Sequence, residues 1–329
     1  MSTLPMLRLE SSRKRRSPLD ELLFGGMAQS TIGRYNAAID HFIEWLKGSN
    51  PIFARFYPHF PIDKVDPSLT DYLLFLHTSG HGRAAANSVV YGLIAAYPQL
   101  SSRLLISRRC LKGFNKLRPS VQRPPLSWGL TVVISLWLAK RYGRSFAVAT
   151  LLAFDCLLRL EELCDIQLRH VALPGDPRVG IASTSARIRL ARTKTGLNQS
   201  VVVLNRDVNS LLNEQVARRA GRKHLWAFTS PQYYRAFKNA CVALNLSPRY
   251  SPHSLRHGGA THCLLLGWKI PDIQQRGRWA STESLRRYCQ SFEAVMLSVD
   301  VPSKVARLAA SVQDRPMAAL KLIRPIKRS

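Results

Sequence analysis

Ser251-Pro252-His253-Ser254-Leu255-Arg256 and, downstream, Gly277-Arg278-Trp279-Ala280-Ser281-Thr282-Glu283-Ser284-Leu285-Arg286-Arg287-Tyr288 are the stretches on which the fold turns. Ser251 reads as a helix N-cap and Pro252 as its first residue, with Gly267 just past the helix end. His253 and Arg256 then share one face of the first turn, at spacing i, i+3. A helix start offers free N–H groups and partial positive charge, which suits an anion such as phosphate. Ser281 can cap a short final helix with Leu285 and Tyr288 on one face. Taken singly, these are an ordinary basic helix start and an ordinary packed tyrosine.

Two segments upstream change that reading. Cys156-Leu157-Leu158-Arg159-Leu160-Glu161-Glu162-Leu163 puts an arginine at the end of a markedly apolar run. Further on, Arg187-Ile188-Arg189-Leu190-Ala191-Arg192 alternates in polarity and Val201 to Leu204 is β-prone. Between them, Thr193-Lys194-Thr195-Gly196 forms the turn of a predicted hairpin. The four segments, in this order, resemble the tyrosine recombinase (phage integrase) family. That family carries a first arginine box, a lysine turn, His-x-x-Arg, and a Gly-x-His or Gly-x-Trp turn, with a tyrosine nine residues on. The resemblance covers residues 145–292 well and 28–117 more loosely. It implies a mainly α chain: a helical core-binding domain, then a mixed α+β catalytic domain with a small β-sheet or hairpin, the DNA breaking-rejoining fold.

The resemblance implies six site residues, Arg159, Lys194, His253, Arg256, Trp279 and Tyr288, and the chemistry of a phosphodiester explains their types. Attack on phosphorus builds charge on the non-bridging oxygens, which Arg159 and Arg256 can hold with fixed forks of N–H donors. Tyr288 is the expected nucleophile. A free tyrosine titrates near pH 10, so surrounding cations and a neighbouring base must help it ionise. His253 is the candidate for that help. Lys194, on the hairpin, is the candidate general acid for the leaving 5′ hydroxyl. Trp279 stands where histidine is commoner in the family; its indole donates one N–H and cannot shuttle protons. Glu162 is expected to orient structure, and His257 to be structural or to support its neighbours. The expected reaction is strand cleavage through a 3′-phosphotyrosyl link and rejoining to a partner 5′ hydroxyl, with no metal, ATP or other cofactor. Family resemblance implies double-stranded DNA as partner and a homo-tetramer on paired sites. Residues 292–312 are placed to dock on a neighbouring subunit. A catalytically inactive DNA-binding relative and a type IB topoisomerase-like relaxase are the rival readings.

Working outward, residues 1–26 read as a flexible basic lead-in and 27–117 as a helical domain. Within it, helices are expected from Ser30 or Thr31 to Gly48, from Asp66-Pro67 to Gly80, from Ala84 to Ala96 and from Ser107 to Leu117. Arg118-Pro119-Ser120-Val121-Gln122-Arg123-Pro124-Pro125 cannot continue a helix and is read as the linker, 118–125. The catalytic domain is expected over 126–300, with helices near 127–142, 145–158, 207–219 and 231–244. Residues 301–329 are read as a basic tail with one short apolar helix at most.

Composition agrees with a polyanionic partner. The 329 residues carry 48 Lys and Arg against 20 Asp and Glu, a net charge of +28. Such an excess repels itself unless neutralised, and nucleic acid comes before an anionic membrane surface as the neutraliser. The tract Arg13-Lys14-Arg15-Arg16 suits a nuclear address, a DNA-contacting arm or a solvated tail. The apolar run from Leu130 to Ala139 is too short to span a bilayer, and no secretory signal is visible. The expected setting is intracellular and DNA-associated, nuclear if the source is eukaryotic. The six cysteines show neither C-x-x-C pairs nor ligand spacing with histidines, and are expected to be reduced core residues.

Overall fold

A computed structural model describes residues 3–5, 26–49, 59–119, 123–193, 196–283, 285 and 299–323. The chain divides into two compact units, Met1–Val121 and Gln122–Ser329.

The first unit is built on α1 (Gln29–Ser49), α2 (Ile62–Thr78), α3 (Arg83–Ala96) and α4 (Leu105–Leu117). Each is amphipathic, and the apolar stripes meet in one core of Ile39, Phe42, Leu46, Leu69, Tyr72, Leu76, Val89 and Leu93. Two short strands, β1 (Thr3–Pro5) and β2 (His59–Pro61), pair antiparallel, so part of the predicted flexible lead-in is ordered against this unit. The expected helix start at Asp66-Pro67 is one turn late, because α2 already runs from Ile62 through Pro67. Asp66 caps a different helix: its carboxylate accepts from the Ile106 and Ser107 N–H groups at 2.9 and 2.8 Å. Those are first-turn donors of α4 with no partner inside their own helix.

In the second unit α5 (Trp128–Tyr142) and α6 (Arg144–Asp155) form the centre of the core, which is apolar almost all round both helices. α6 stops at Asp155, short of the predicted 158, because the chain reverses at Leu157, whose φ is 51°. α7 (Leu160–Cys164) follows with Arg159 as its N-cap. A three-stranded antiparallel sheet of β3 (Val171–Ala172), β4 (Arg187–Thr193) and β5 (Gly196–Val202) comes next. Ile188, Leu190 and Val201 are buried in the core, while Arg187 and Arg189 are exposed on the other face. Then come α8 (Arg206–Arg218), α9 (Ser230–Ala243), α10 (Pro252–Leu265) and α11 (Ile270–Gly277). Helix 270–277 has no counterpart in the sequence reading.

The C-terminal stretch departs from expectation in two ways. It holds two helices, α12 (Ser303–Val312) and α13 (Pro316–Lys321), and both pack on their own chain. Val305, Ala309 and Leu320 join the core. Gly129 on α5 leaves room for Ala309, since a Cβ there would sit 3.1 Å from the alanine methyl. The Trp128 indole donates to the Gln313 carbonyl at 2.8 Å. So the described part of the segment expected on a neighbour, from 299 to 312, finds its apolar partner within the chain; residues 291–298 lie outside the described residues. Cys156, Cys241 and Cys263 are buried and Cys164 half-buried, but Cys110 is exposed on α4. These five are free thiols. Among the described residues no helix is long and apolar enough to cross a membrane.

Candidate active site

α10 begins as the sequence predicts, with Ser251 as N-cap, Pro252 at N1 and Gly267 at φ 83° beyond its end. Its next feature, Gly258-Gly259, lets the helix approach the rest of the unit at backbone distance. A Cβ at 258 would overlap the Leu126 backbone, and one at 259 the Phe154 carbonyl and a Leu157 methyl. That close approach brings Arg256 onto the turn after α6.

Arg256 is 1% exposed. It donates from Nη1 to the Leu157 carbonyl at 2.5 Å and from Nη2 to the Gly277 carbonyl. Its guanidinium lies over the Trp279 ring, 4.2 Å from the centroid, a cation–π contact. Trp279 folds back over Gly277, where any Cβ would overlap the indole. The glycine of the Gly-x-Trp turn is therefore required by the tryptophan two residues on. Gln274 ties the turn: its carbonyl accepts from the Trp279 N–H and its side-chain amide donates to the Trp279 carbonyl, both at 3.1 Å.

Arg159 lies on the other side of the Leu157 turn. Its Nη1 donates to Glu162 Oε1 at 2.5 Å and its backbone N–H to Glu162 Oε2 at 3.0 Å. Its side chain keeps 22% exposure, so it is the more accessible of the two forks. Glu162 also accepts from Arg278 Nη2 at 2.9 Å. Burial alone would raise the Glu162 pKa; Arg278 first, then the Arg159 N–H and guanidinium, overcome this and hold it below the usual carboxylate value.

His253, half-buried in the first turn of α10, has its pKa pushed down to about 4 by burial first, then by Arg123, Arg256 and Arg159. His257, one turn on, stacks edge-to-face with it at 4.3 Å. Burial and the neighbouring His253 hold His257 at about 3. Both imidazoles are thus neutral at neutral pH, and a neutral imidazole can accept a proton.

Of the six predicted site residues, Arg159, Arg256 and Trp279 are linked here through Leu157, Gly277 and Glu162, and His253 lies within the electrostatic reach of both arginines. Lys194 and Tyr288 lie outside the described residues. Of the final helix, Thr282, Glu283 and Leu285 are helical, with Leu285 buried against Leu157, Ala260 and Ile273. The sequence reading missed Arg276 and Arg278. Arg276 pairs with the nearly buried Asp155 at 3.5 Å and donates to its carbonyl. Arg278 binds Glu162 and the Leu157 carbonyl. Both arginines stand in a polar stretch where a solvated role is the default, and only the Gly258-Gly259 pair hinted at close packing nearby. Among the described residues no three His, Cys, Asp or Glu are grouped to hold a metal ion.

Residues 140–294 match the Phage integrase family. The second unit thus carries a Phage integrase family domain, the domain of the tyrosine recombinases. No curated protein compared with the chain matches in sequence. Among solved structures it is similar to the Tn1549 transposon integrase in complex with transposon right end DNA. That match has 15% identity over 85% of this chain and 92% of that one, at a TM-score of 0.55. It is also similar to a lambda integrase dimer bound to a COC′ core site, at 17% identity, 82% and 91% coverage and a TM-score of 0.58. A lambda integrase tetramer bound to a Holliday junction matches at 17% identity, 78% and 70% coverage and a TM-score of 0.54. At such identities these likenesses establish the fold.

Proposed function

We propose that this protein cleaves and rejoins DNA strands in site-specific recombination, through a 3′-phosphotyrosyl intermediate on Tyr288. The observation that carries this reading is that Arg256 binds the Leu157 carbonyl and lies over Trp279, Arg159 follows the same turn and is held by Glu162, and His253 feels the charge of both arginines. Arg159 and Arg256 would hold the non-bridging oxygens of the scissile phosphate, Arg256 from a position fixed by backbone carbonyls and Trp279. Neutral His253 would take the tyrosine proton as Tyr288 attacks phosphorus. Lys194 would give a proton to the departing 5′ oxygen. Trp279 supports the arginine and shields the site; it moves no proton. A 5′ hydroxyl from a partner duplex then attacks the phosphotyrosine, releasing Tyr288 and restoring the phosphodiester.

Double-stranded DNA is the partner on this reading, supported by the net charge of +28 and by the DNA complexes of the lambda and Tn1549 integrases. The helical unit and the catalytic unit would grip the duplex together across a 118–125 linker. The working unit would be a homo-tetramer on paired sites, as in the lambda integrase complex with a Holliday junction.

A duplex nicked beside the cut site, drawn from DNA flanking the gene, tests the chemistry. The wild type traps a covalent adduct and Tyr288→Phe does not; equal absence from both, on every flanking sequence tried, overturns the reading. If about 6–10 phosphates are neutralised, affinity falls by about 10³–10⁵ between roughly 50 and 200 mM salt. A flat salt response rules out the DNA grip.

A further inference from the structure

We propose that Arg278 is a positioning residue that sets Arg159 and Arg256 relative to one another, acting through Glu162 and the Leu157 carbonyl. This rests on the reading of the two arginines as the phosphate-binding pair. Arg278 does not touch the phosphate: its side chain is 4% exposed and runs inward.

Three observations carry the proposal. The first is connectivity. Arg278 Nη2 reaches Glu162 Oε2 at 2.9 Å, and the other oxygen of that carboxylate holds Arg159. The same nitrogen reaches the Leu157 carbonyl at 3.0 Å, which also accepts from Arg256. One guanidinium is thereby one contact from each member of the pair.

The second is backbone conformation. Arg278 adopts left-handed φ and ψ of 57° and 42° as the C-cap of α11, a place where Gly or Asn is favoured. Leu157 is also left-handed, at φ 51°. Among the described residues only Asn245 shares this feature without being glycine. Two of the three strained positions therefore face each other across one hydrogen bond, and such positions persist where surrounding structure enforces them.

The third is charge. Asp155 is paired with Arg276, which leaves Glu162 as the carboxylate between Arg159 and Arg278. With Arg256 beside them, three guanidiniums against one carboxylate leave the site two charges positive, an excess that a bound phosphodiester would reduce. Arg278 thus satisfies Glu162 on its buried side, so that the partly exposed guanidinium of Arg159 is held in place while keeping donors for the ligand.

The test uses the full-length chain and the nicked duplex. Arg278→Gly removes the guanidinium and suits the left-handed backbone. It is expected to slow adduct formation at saturating DNA by about 10–100-fold, the range seen when an outer support of a fixed site is lost. DNA affinity is expected to stay unchanged. Millimolar guanidinium should restore part of the lost rate in R278G and leave the wild type unaffected. Arg278→Lys should fall between the two. Because Arg278 acts in part through Glu162, the loss in the double variant R278G/E162Q should be smaller than the product of the two single losses. A wild-type rate in R278G overturns the proposal, as do multiplying losses in the double variant or a loss of DNA affinity in step with the loss of rate. If thermal melts show R278G unfolded, R278K and E162Q carry the same comparison. If the wild type traps no adduct, it is the catalytic reading that fails, a result separate from any of these.

Discussion

The two units deal with their charges in opposite ways. Among the described residues of the N-terminal unit the core is aliphatic and aromatic, the buried polar residues are an asparagine and three serines, and ion pairs such as Glu44–Lys47 sit at the surface. In the C-terminal unit Arg256, Arg278, Glu162 and His257 are buried, and Arg276 and Asp155 are nearly so. Burying an ion costs several kcal/mol unless it is paired and hydrogen-bonded. The first unit avoids that cost. The second, among its described residues, accepts it around the turn between α6 and α7 and offsets it with backbone carbonyls and two carboxylates. Buried charge that contributes little to stability marks the place where charge is needed for chemistry.

Substitutions can break or sharpen this contrast. Phe42→Ala removes a fully buried ring from the first core and should cost about 3–5 kcal/mol of local stability. Hydrogen exchange should then rise across α1 to α3 and stay unchanged in α5, α6 and α10. Arg256→Leu should raise the cleavage barrier by about 3–4 kcal/mol, the loss typical of an aimed donor, seen as a single-turnover rate at saturating DNA. An unchanged rate would mean that this arginine is only structural. Gly258→Ala places a methyl against the Leu126 backbone, which cannot move aside as a side chain could. It should destabilise the second unit by about 1–3 kcal/mol in urea unfolding.

The histidines add a pH dependence. Free histidine titrates at 6.5, while His253 and His257 are held at about 4 and about 3 in the fold. Between these values the unfolded chain binds more protons, so stability is full above pH 6.5 and falls as pH drops toward 4. His253→Gln should flatten part of that slope in urea midpoints measured across this range; an unchanged slope would contradict the burial described for it. The smallest effect belongs to the surface of the first unit. Glu44→Gln, which removes an exposed i, i+3 pair, should cost only about 0.2–0.5 kcal/mol.

Sequence reading located most of the helices because their signals are local. Ser251 is an N-cap where predicted, the helix expected near 127–142 runs Trp128–Tyr142, and the alternating stretch from Arg187 is a strand. It misplaced the start of α2 because the Asp66 carboxylate caps α4, some forty residues on in sequence. It underestimated the C-terminus because the apolar faces of Val305, Ala309 and Leu320 have meaning only against the core they meet.

The stretches around His253 and Trp279 determined on their own which residue types are brought to the site and in what order, since motif spacing within a helix and a turn is a property of the chain. Tertiary structure alone decided how those residues are held. Arg256 is fixed by the carbonyls of Leu157 and Gly277, Gly277 is needed by an indole folded over it, and Arg278 is joined to a carboxylate far upstream. Backbone carbonyls look alike in every sequence, so which of them becomes a ligand for a guanidinium depends on how α6, α10 and α11 pack together.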